Sequence, residues 1–407
     1  MGFGQGLSGL NAASQNLDVI GNNIANSGTV GFKAGSATFA DVYASSRVGL
    51  GVQFTGVSQR FTTGNITGSG GELDMAIDGP KGFFRVVDTS GSVMYTRNGQ
   101  FYKDKDHKIV NIQGQQLTGY AAGAVGTDPI PLVVPVENIP PRATTTLTAS
   151  KLTLNANAPV KPATPAFDPE DASTYTKAEP RTVYDSLGNA HELKLYFVKR
   201  DAASGNSVWD VHPYLGSSPM VVGGGPATSF QMTFNNEGVL QSGGNNVLNF
   251  AAPGGTTSPA APLAITTNFN NATQFGGEAS ANLLQDGYAT GEYASVSVDR
   301  DGTLVAKYTN DQNRIVGVLA LADFNNLQGL QPRGGNAWVE TSASGPANLG
   351  QPGTNGLAVI KGSSIEESNV DMSQELVNMI IAQRTYQANA QTIKTQDQIM
   401  QTLVTMR

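Results

Sequence analysis

The chain has 407 residues and no cysteine, with 32 acidic against 25 basic side chains, and only 14% of it is charged, well under the roughly one quarter usual for soluble domains. The length holds two or three domains, and the missing cysteine removes disulfides, thiolate chemistry and Cys-based zinc sites. Lys and Arg are scattered, so no basic face offers itself to nucleic acid, and apolar runs such as "VLALA" are too short to span a bilayer.

The first element is an amphipathic helix. From Phe3 to about Asn26, apolar or small residues recur at steps of four and three: Phe3, Leu7, Leu10, Ser14, Leu17, Gly21 and Ile24. That spacing predicts one apolar seam on a helix of about 35 Å. Gly28 is expected at its left-handed end. The start lacks a basic n-region and an apolar h-region, so no Sec-type signal is readable. The stretch from Gly28 to Gly70, rich in Gly, Ser and Thr, is expected to act as a hinge, with Gly28, Gly31, Gly64, Gly68 and Gly70 as its candidates.

Strand sequence follows. Leu73, Met75 and Ile77 alternate with Asp74, Ala76 and Asp78, as in a half-buried strand. "FFRVVD" and "SVMYTR" continue the pattern, Asn98-Gly99 predicts a tight type I′ hairpin, and Gln113-Gly114 a further turn. The same texture returns in "EYASVSVDRDGTLVAKYTNDQNRIVGVLALADF", so the two β-rich flanks are expected to form one discontinuous domain. Between them, residues 146–285 open in Pro-rich sequence and hold "RTVYDSLGNAHELKLYFVKR" and "SVWDVHPYL". This reads as an inserted all-β barrel or sandwich.

The last element, Asp371 to about Met406, carries a second seam: Met372, Leu376, Met379, Gln383, Tyr386, Ala390, Ile393, Asp397, Met400 and Val404. A steady four-three repeat is that of a coiled coil. Asp371 suits the N-cap, Gln374 the third helical position of a capping box, and Glu375 the positive helix end. The fold class expected is mainly β with long terminal α-helices and nested, discontinuous domains. The division is 1–70 with 364–407, 71–145 with 286–363, and 146–285. The seams of the two helices are expected to pair, surrounded by uncharged Gln, Asn, Ser and Thr.

Catalytic chemistry finds little support. "GQGLSG" matches a dinucleotide fingerprint but has only three residues before it, where the motif needs a strand; its glycines fit close helix packing better. "DRDGT" lacks the Glu that completes a calcium loop and reads as a hairpin turn. "DKDH" reads as a solvated turn, since the three histidines, His107, His191 and His212, form no cluster in sequence. No nucleophile elbow or P-loop is present. No enzyme activity, cofactor, metal, nucleic acid or membrane insertion is expected.

Four stretches resemble the bacterial flagellar hook proteins, within the axial family that also holds rod proteins. They are "NLDVIGNNIANSGTVGFK", "LDMAIDGPKGFFRV" with "YTRNGQF", "VYDSLGNAHELKLYFVKR", and "SNVDMSQELVNMIIAQRTYQANAQTIKTQDQIMQTLV". His107-Lys108 departs from the family, where Gly is frequent in that turn. The resemblance implies a structural subunit that polymerises into a curved hollow joint carrying torque from rod to filament. It further implies an inner helical layer, a middle β wall and an outer inserted domain. The partners implied are copies of itself, the distal rod, the hook cap, the hook–filament junction proteins and the type III export apparatus. The alternatives are a distal rod protein, against which "VYDSLGN" and the inserted domain argue, and a secreted β-rich adhesin or enzyme, which would need a signal peptide or a catalytic cluster.

Overall fold

A computed structural model describes residues 3–43, 49–203, 205–221, 228–253, 255 and 259–405. The chain separates into two compact units, one of Met1–Val136, Ala294–Lys307 and Asn313–Arg407, the other of Glu137–Tyr293 and Tyr308–Gln312.

In the first unit, α1 (Phe3–Ala25) and α2 (Met372–Thr405) pack antiparallel. Glycine lets them approach closely: a Cβ on Gly6 would stand 3.1 Å from Ile393 Cγ1, and one on Gly9 would stand 2.9 Å from Asn389 Oδ1. After α1 the chain tightens through turns at Asn26–Thr29. Gly28 lies in those turns without entering the left-handed region, which is taken instead by Gly31 at φ 73°. A two-stranded hairpin, β1 (Gly35–Tyr43) and β2 (Gly49–Gln59), then runs back along α1. The Asn23 amide fastens one end of it, donating to Gly35 O at 2.8 Å and accepting from Gly35 N at 2.9 Å. Near the other end, Val52 N donates to Ser8 Oγ at 3.3 Å.

The two β-rich flanks share a single 13-stranded sheet. Gln116–Ala121 pairs with Asn313–Leu319, and Val93–Thr96 with Ala337–Val339. An aromatic core of Phe61, Phe83, Tyr95, Phe324 and Trp338 fills one part of this unit, with ring edges meeting faces at centroid separations such as 5.7 Å for Phe83 and Trp338. The hairpin expected at Asn98-Gly99 is absent. The tight turn sits earlier, at Asp88–Gly91, where the Asp88 carboxylate accepts from Ser90 N and Ser92 N and Gly91 takes φ 86°. Asn98 accepts from Gln100 N through its own side chain, and Gly99 is consumed by close packing, its missing Cβ leaving room for Met75 O. The turns at Gly114 and Gly302 form where the sequence places them. In "DKDH", Asp104 Oδ1 accepts from the N–H groups of Asp106 and Lys108, and His107 occupies the left-handed region at φ 61°.

The second unit is a β-sandwich. A five-stranded sheet built on Thr146–Asn155 faces a six-stranded sheet built on Ala190–Ala203 and Asn206–Leu215, and one core containing Leu195, Phe197, Trp209, Phe234, Ile265 and Phe269 draws on both. Trp209 is buried yet satisfied, donating from Nε1 to Gln274 Oε1 at 3.1 Å. The "DSLGN" turn is organised by Asp185, whose carboxylate accepts from Leu187 N, Asn189 N and Asn189 Nδ2 and meets His191 Nε2 at 2.9 Å. Burial works against ionisation of Asp185, but those bonds, led by His191 and Asn189, outweigh it and hold the carboxyl down at about 2. The segments "ENIPPRATTT" and "EASANLLQDG" bridge each other: Arg142 pairs with Tyr288 through backbone bonds, and Asp286 accepts from Arg142 Nη2 at 2.8 Å.

Candidate assembly surface

The helical layer is a capped, half-covered pair. Asp371 Oδ1 accepts from Ser373 N at 2.9 Å and Gln374 N at 3.1 Å, satisfying donors that no helical carbonyl can reach. The capping box does not close, because Gln374 turns forward and donates to Asn378 Oδ1.

The line of α2 that meets α1 differs from the expected seam by one residue on one side. Met379 and Ile393 stay half-buried on it and Tyr386 is exposed, but the second row holds Glu375, Ala382 and Gln396 in place of Leu376, Gln383 and Asp397, with Ala382 only 3% exposed and Asn389 and Ala390 both half-buried. Small and amide side chains fit where glycines of α1 bring the backbones together. Met372 and Leu376 are therefore exposed, as is Met400, which is 63% open. On α1 the innermost residues are Gly6, Ala12, Ala13, Ile20 and Asn23; Leu10, Leu17 and Ile24 are half-buried and Leu7 is exposed. The side chains of Phe3 and Val404 lie outside the described residues. The outward face of α2 is strongly apolar: Val377, Ile380 and Ile381 are each about half exposed or more, at 51%, 50% and 57%.

Beneath the helices the chain is clamped by buried charge. Lys33 Nζ meets Glu366 Oε1 at 2.5 Å and donates to Thr62 O at 2.7 Å. Arg97 Nη1 meets Glu366 Oε2 at 3.3 Å, and its two terminal nitrogens donate to Gly79 O and Pro80 O. All three charged side chains have no solvent exposure. Burial pushes the Lys33 ammonium below its ordinary range, with Glu366 opposing the shift and Arg97 adding to it. One carboxylate thus serves two cations, and the Arg97 guanidinium also lies over the Phe83 ring at 5.2 Å. Around this centre Gly31 N donates to Glu366 O, Gly64 N to Glu366 Oε1, and Ala34 N to Asn369 Oδ1.

The clamp holds part of the segment that carries the hinge candidates. Gly31 would place a Cβ 2.6 Å from Asn98 N, and Gly64 would place one 2.0 Å from Glu367 O, so both are close-packing glycines in a pinned segment. Gly28, Gly68 and Gly70 face open space. The clamp is not signalled in the sequence, because its partners are brought together only by the fold.

Four family descriptions match in the order of the chain. "Flagella basal body rod protein" covers residues 5–33, "Flagellar hook protein FlgE/F/G D1 domain" 76–157, "Flagellar basal body protein FlaE D2 domain" 153–288, and "Flagellar basal body rod FlgEFG protein C-terminal" 361–406. Nested β units between two helical ends, with an apolar helical face left bare, are the build of an axial structural protein of the flagellum. Flagellar hook protein FlgE of Salmonella typhimurium is 45% identical over 414 residues, covering all of both chains, and that of Escherichia coli K12 is 45% identical over 418. The FlgE of Borreliella burgdorferi is 30% identical across 99% of this chain and 98% of its own. The chain belongs to the flagellar hook protein family. In fold it is similar to the Helicobacter pylori flagellar hook protein FlgE2, with a TM-score of 0.56 at 13% identity, covering 74% of this chain and all of that one. Among the described residues no helix is long and apolar enough to cross a membrane.

Proposed function

We propose that this hook subunit polymerises through its helical layer into a curved hollow tube that carries torque from the rod to the filament. The observation that carries the reading is the bare apolar face of α2, where Val377, Ile380 and Ile381 stand exposed together. A monomer leaves that area in water at a cost of about 1 kcal/mol per half-exposed side chain, and neighbouring copies remove it. Leu7, Met372, Leu376 and Met400 add to the surface that copies cover. Uncharged polar residues around it suit a repeating contact, because like charges would repel at every step of a polymer.

Three layers are proposed for the tube: an inner one of residues 1–70 and 364–407, a wall of 71–145 and 286–363, and an outer one of 146–285. The outer layer governs curvature through wet contacts that exchange easily. Proposed neighbours are the distal rod, the hook cap, the hook–filament junction proteins and the type III export apparatus. Negative-stain microscopy of the full chain, beside a chain lacking residues 1–27 and 371–407, tests the reading. Curved tubes with a channel are expected from the full chain alone. Tubes from both, or monomers from both in the presence of hook fragments as seeds, would overturn it. A chain lacking 146–285 is expected to assemble without regular curvature.

A further inference from the structure

Glu375 is an unusual residue on α2: it is only 7% exposed, and its carboxylate has no hydrogen-bond or ion-pair partner among the described residues. It lines a cavity of about 340 Å³ between α1, β1 and α2, together with Asn16, Arg60, Asn378 and Ile381. Arg60 stands at the rim, exposed, and forms no ion pair with it. Its carboxylate opens into that cavity, where an arriving cation can meet it.

The cation that fits is on the same helix. Arg384 is exposed and unpaired among the described residues, and it extends the bare face in the order Val377, Ile380, Ile381, Arg384. The spacing i, i+3, i+4, i+7 keeps those four on one side of a helix. Ile381 belongs both to that face and to the cavity wall, so whatever covers the face arrives at the mouth of the cavity. Nine residues of helix separate Glu375 from Arg384, which turns them to opposite sides about 13 Å apart along the axis. Arg384 therefore cannot reach the Glu375 of its own chain. α1 offers no cation at all, and Lys394, the other one within α2, lies well beyond the face.

We propose that the Arg384 guanidinium of a second copy enters the Glu375 cavity, forming a charge-assisted contact that repeats from subunit to subunit. Donor and acceptor on opposite faces make a heterologous interface, which propagates as an open polymer and does not close into a dimer. The planar guanidinium can engage both carboxylate oxygens. This deepens the polymerisation reading and rests on it.

The absence of cysteine from the chain makes the test clean. Glu375→Cys and Arg384→Cys chains are copolymerised with hook fragments as seeds and mildly oxidised, with Lys394→Cys replacing Arg384→Cys as the control. A 375–384 disulfide forming well ahead of a 375–394 one is expected. Charge reversal supplies the second arm: Glu375→Arg and Arg384→Glu should each raise the critical concentration about tenfold or more, and the double reversal should bring it back to within about threefold. Circular dichroism of each monomer separates loss of contact from loss of fold. Crosslinking no faster than the control, or a double reversal no better than the singles, would overturn the pairing while leaving polymerisation intact. A wild-type chain that never joins the seeds would remove the polymerisation reading itself.

Discussion

Replacing Glu366 by Gln removes the one carboxylate that pairs with both Lys33 and Arg97, neither of which has any solvent exposure, and leaves only the more distant Asp323 acting on Arg97. Breaking a buried ion pair by deleting one partner costs about 3–5 kcal/mol, because a charge is left without compensation. Here two cations lose the same partner. Arg97 still donates to Gly79 O and Pro80 O, whereas Lys33 keeps only Thr62 O. The amide oxygen can still accept from Gly64 N, so a loss of about 4 kcal/mol is expected, in the middle of that range. Lys33→Met should cost far less, since it leaves a one-to-one Arg97–Glu366 pair. Arg97→Met should fall between, because it strands two backbone carbonyls. Urea unfolding followed by Trp338 fluorescence measures the first unit once Trp209, in the second, is replaced by Phe. A loss below about 1 kcal/mol for Glu366→Gln, or a larger loss for Lys33→Met, would refute the view of the clamp as a charge-deficient buried cluster.

Ile380→Ala with Ile381→Ala removes side chains that are 50% and 57% exposed, so monomer stability should barely change while polymer contacts lose about 2 kcal/mol, a roughly 30-fold rise in critical concentration by sedimentation. The folded-state pKa of Asp185 is depressed to about 2 from 3.8, so its contribution, on the order of 2 kcal/mol, is present above the unfolded value and lost as pH falls from about 4 through 2. Acid unfolding of the second unit should show that window, and Asp185→Asn should flatten it. Gly64→Ala, with its Cβ 2.0 Å from Glu367 O, should destabilise the first unit by about 2 kcal/mol or more. Gly28→Ala, which meets nothing within 4 Å, should leave thermal unfolding unchanged or raise stability by about 0.5 kcal/mol.

Both helices were legible because a 3.6-residue period survives any tertiary context, and their observed ends fall within about a residue of the expected ones. The packed row of α2 was not. Periodicity marks where apolar side chains align, and on this helix many of them, including Met372, Leu376 and Ile380, are left bare by the single chain while Glu375, Asn389 and Gln396 face inward. Nothing in a local window separates a face awaiting a neighbour from a face already covered. The glycines carry a related ambiguity. Gly31 and Gly64 look permissive in sequence, but their freedom is spent on backbone contacts with Asn98 and Glu367 that only the fold creates. Asn98-Gly99 carries strong hairpin chemistry, yet burial beside Met75 overrides it. The alternating strands of the second unit were legible because the sandwich buries one face of each, as in Leu193, Leu195 and Phe197.

The clamp joins residues 333 positions apart, and nearly the whole chain lies in the loop it closes. Contacts of such range form late, after the intervening segments have condensed. The first helix can fold on its own period early, but the second, which it packs against, follows Glu366 in the chain. A chain that stops short of that point leaves two cations unanswered in what should be a buried site. In a polymer grown one subunit at a time, this works as a proof of completeness: the helical surface proposed to accept the next copy includes the last tenth or so of the chain, so a truncated subunit cannot present it.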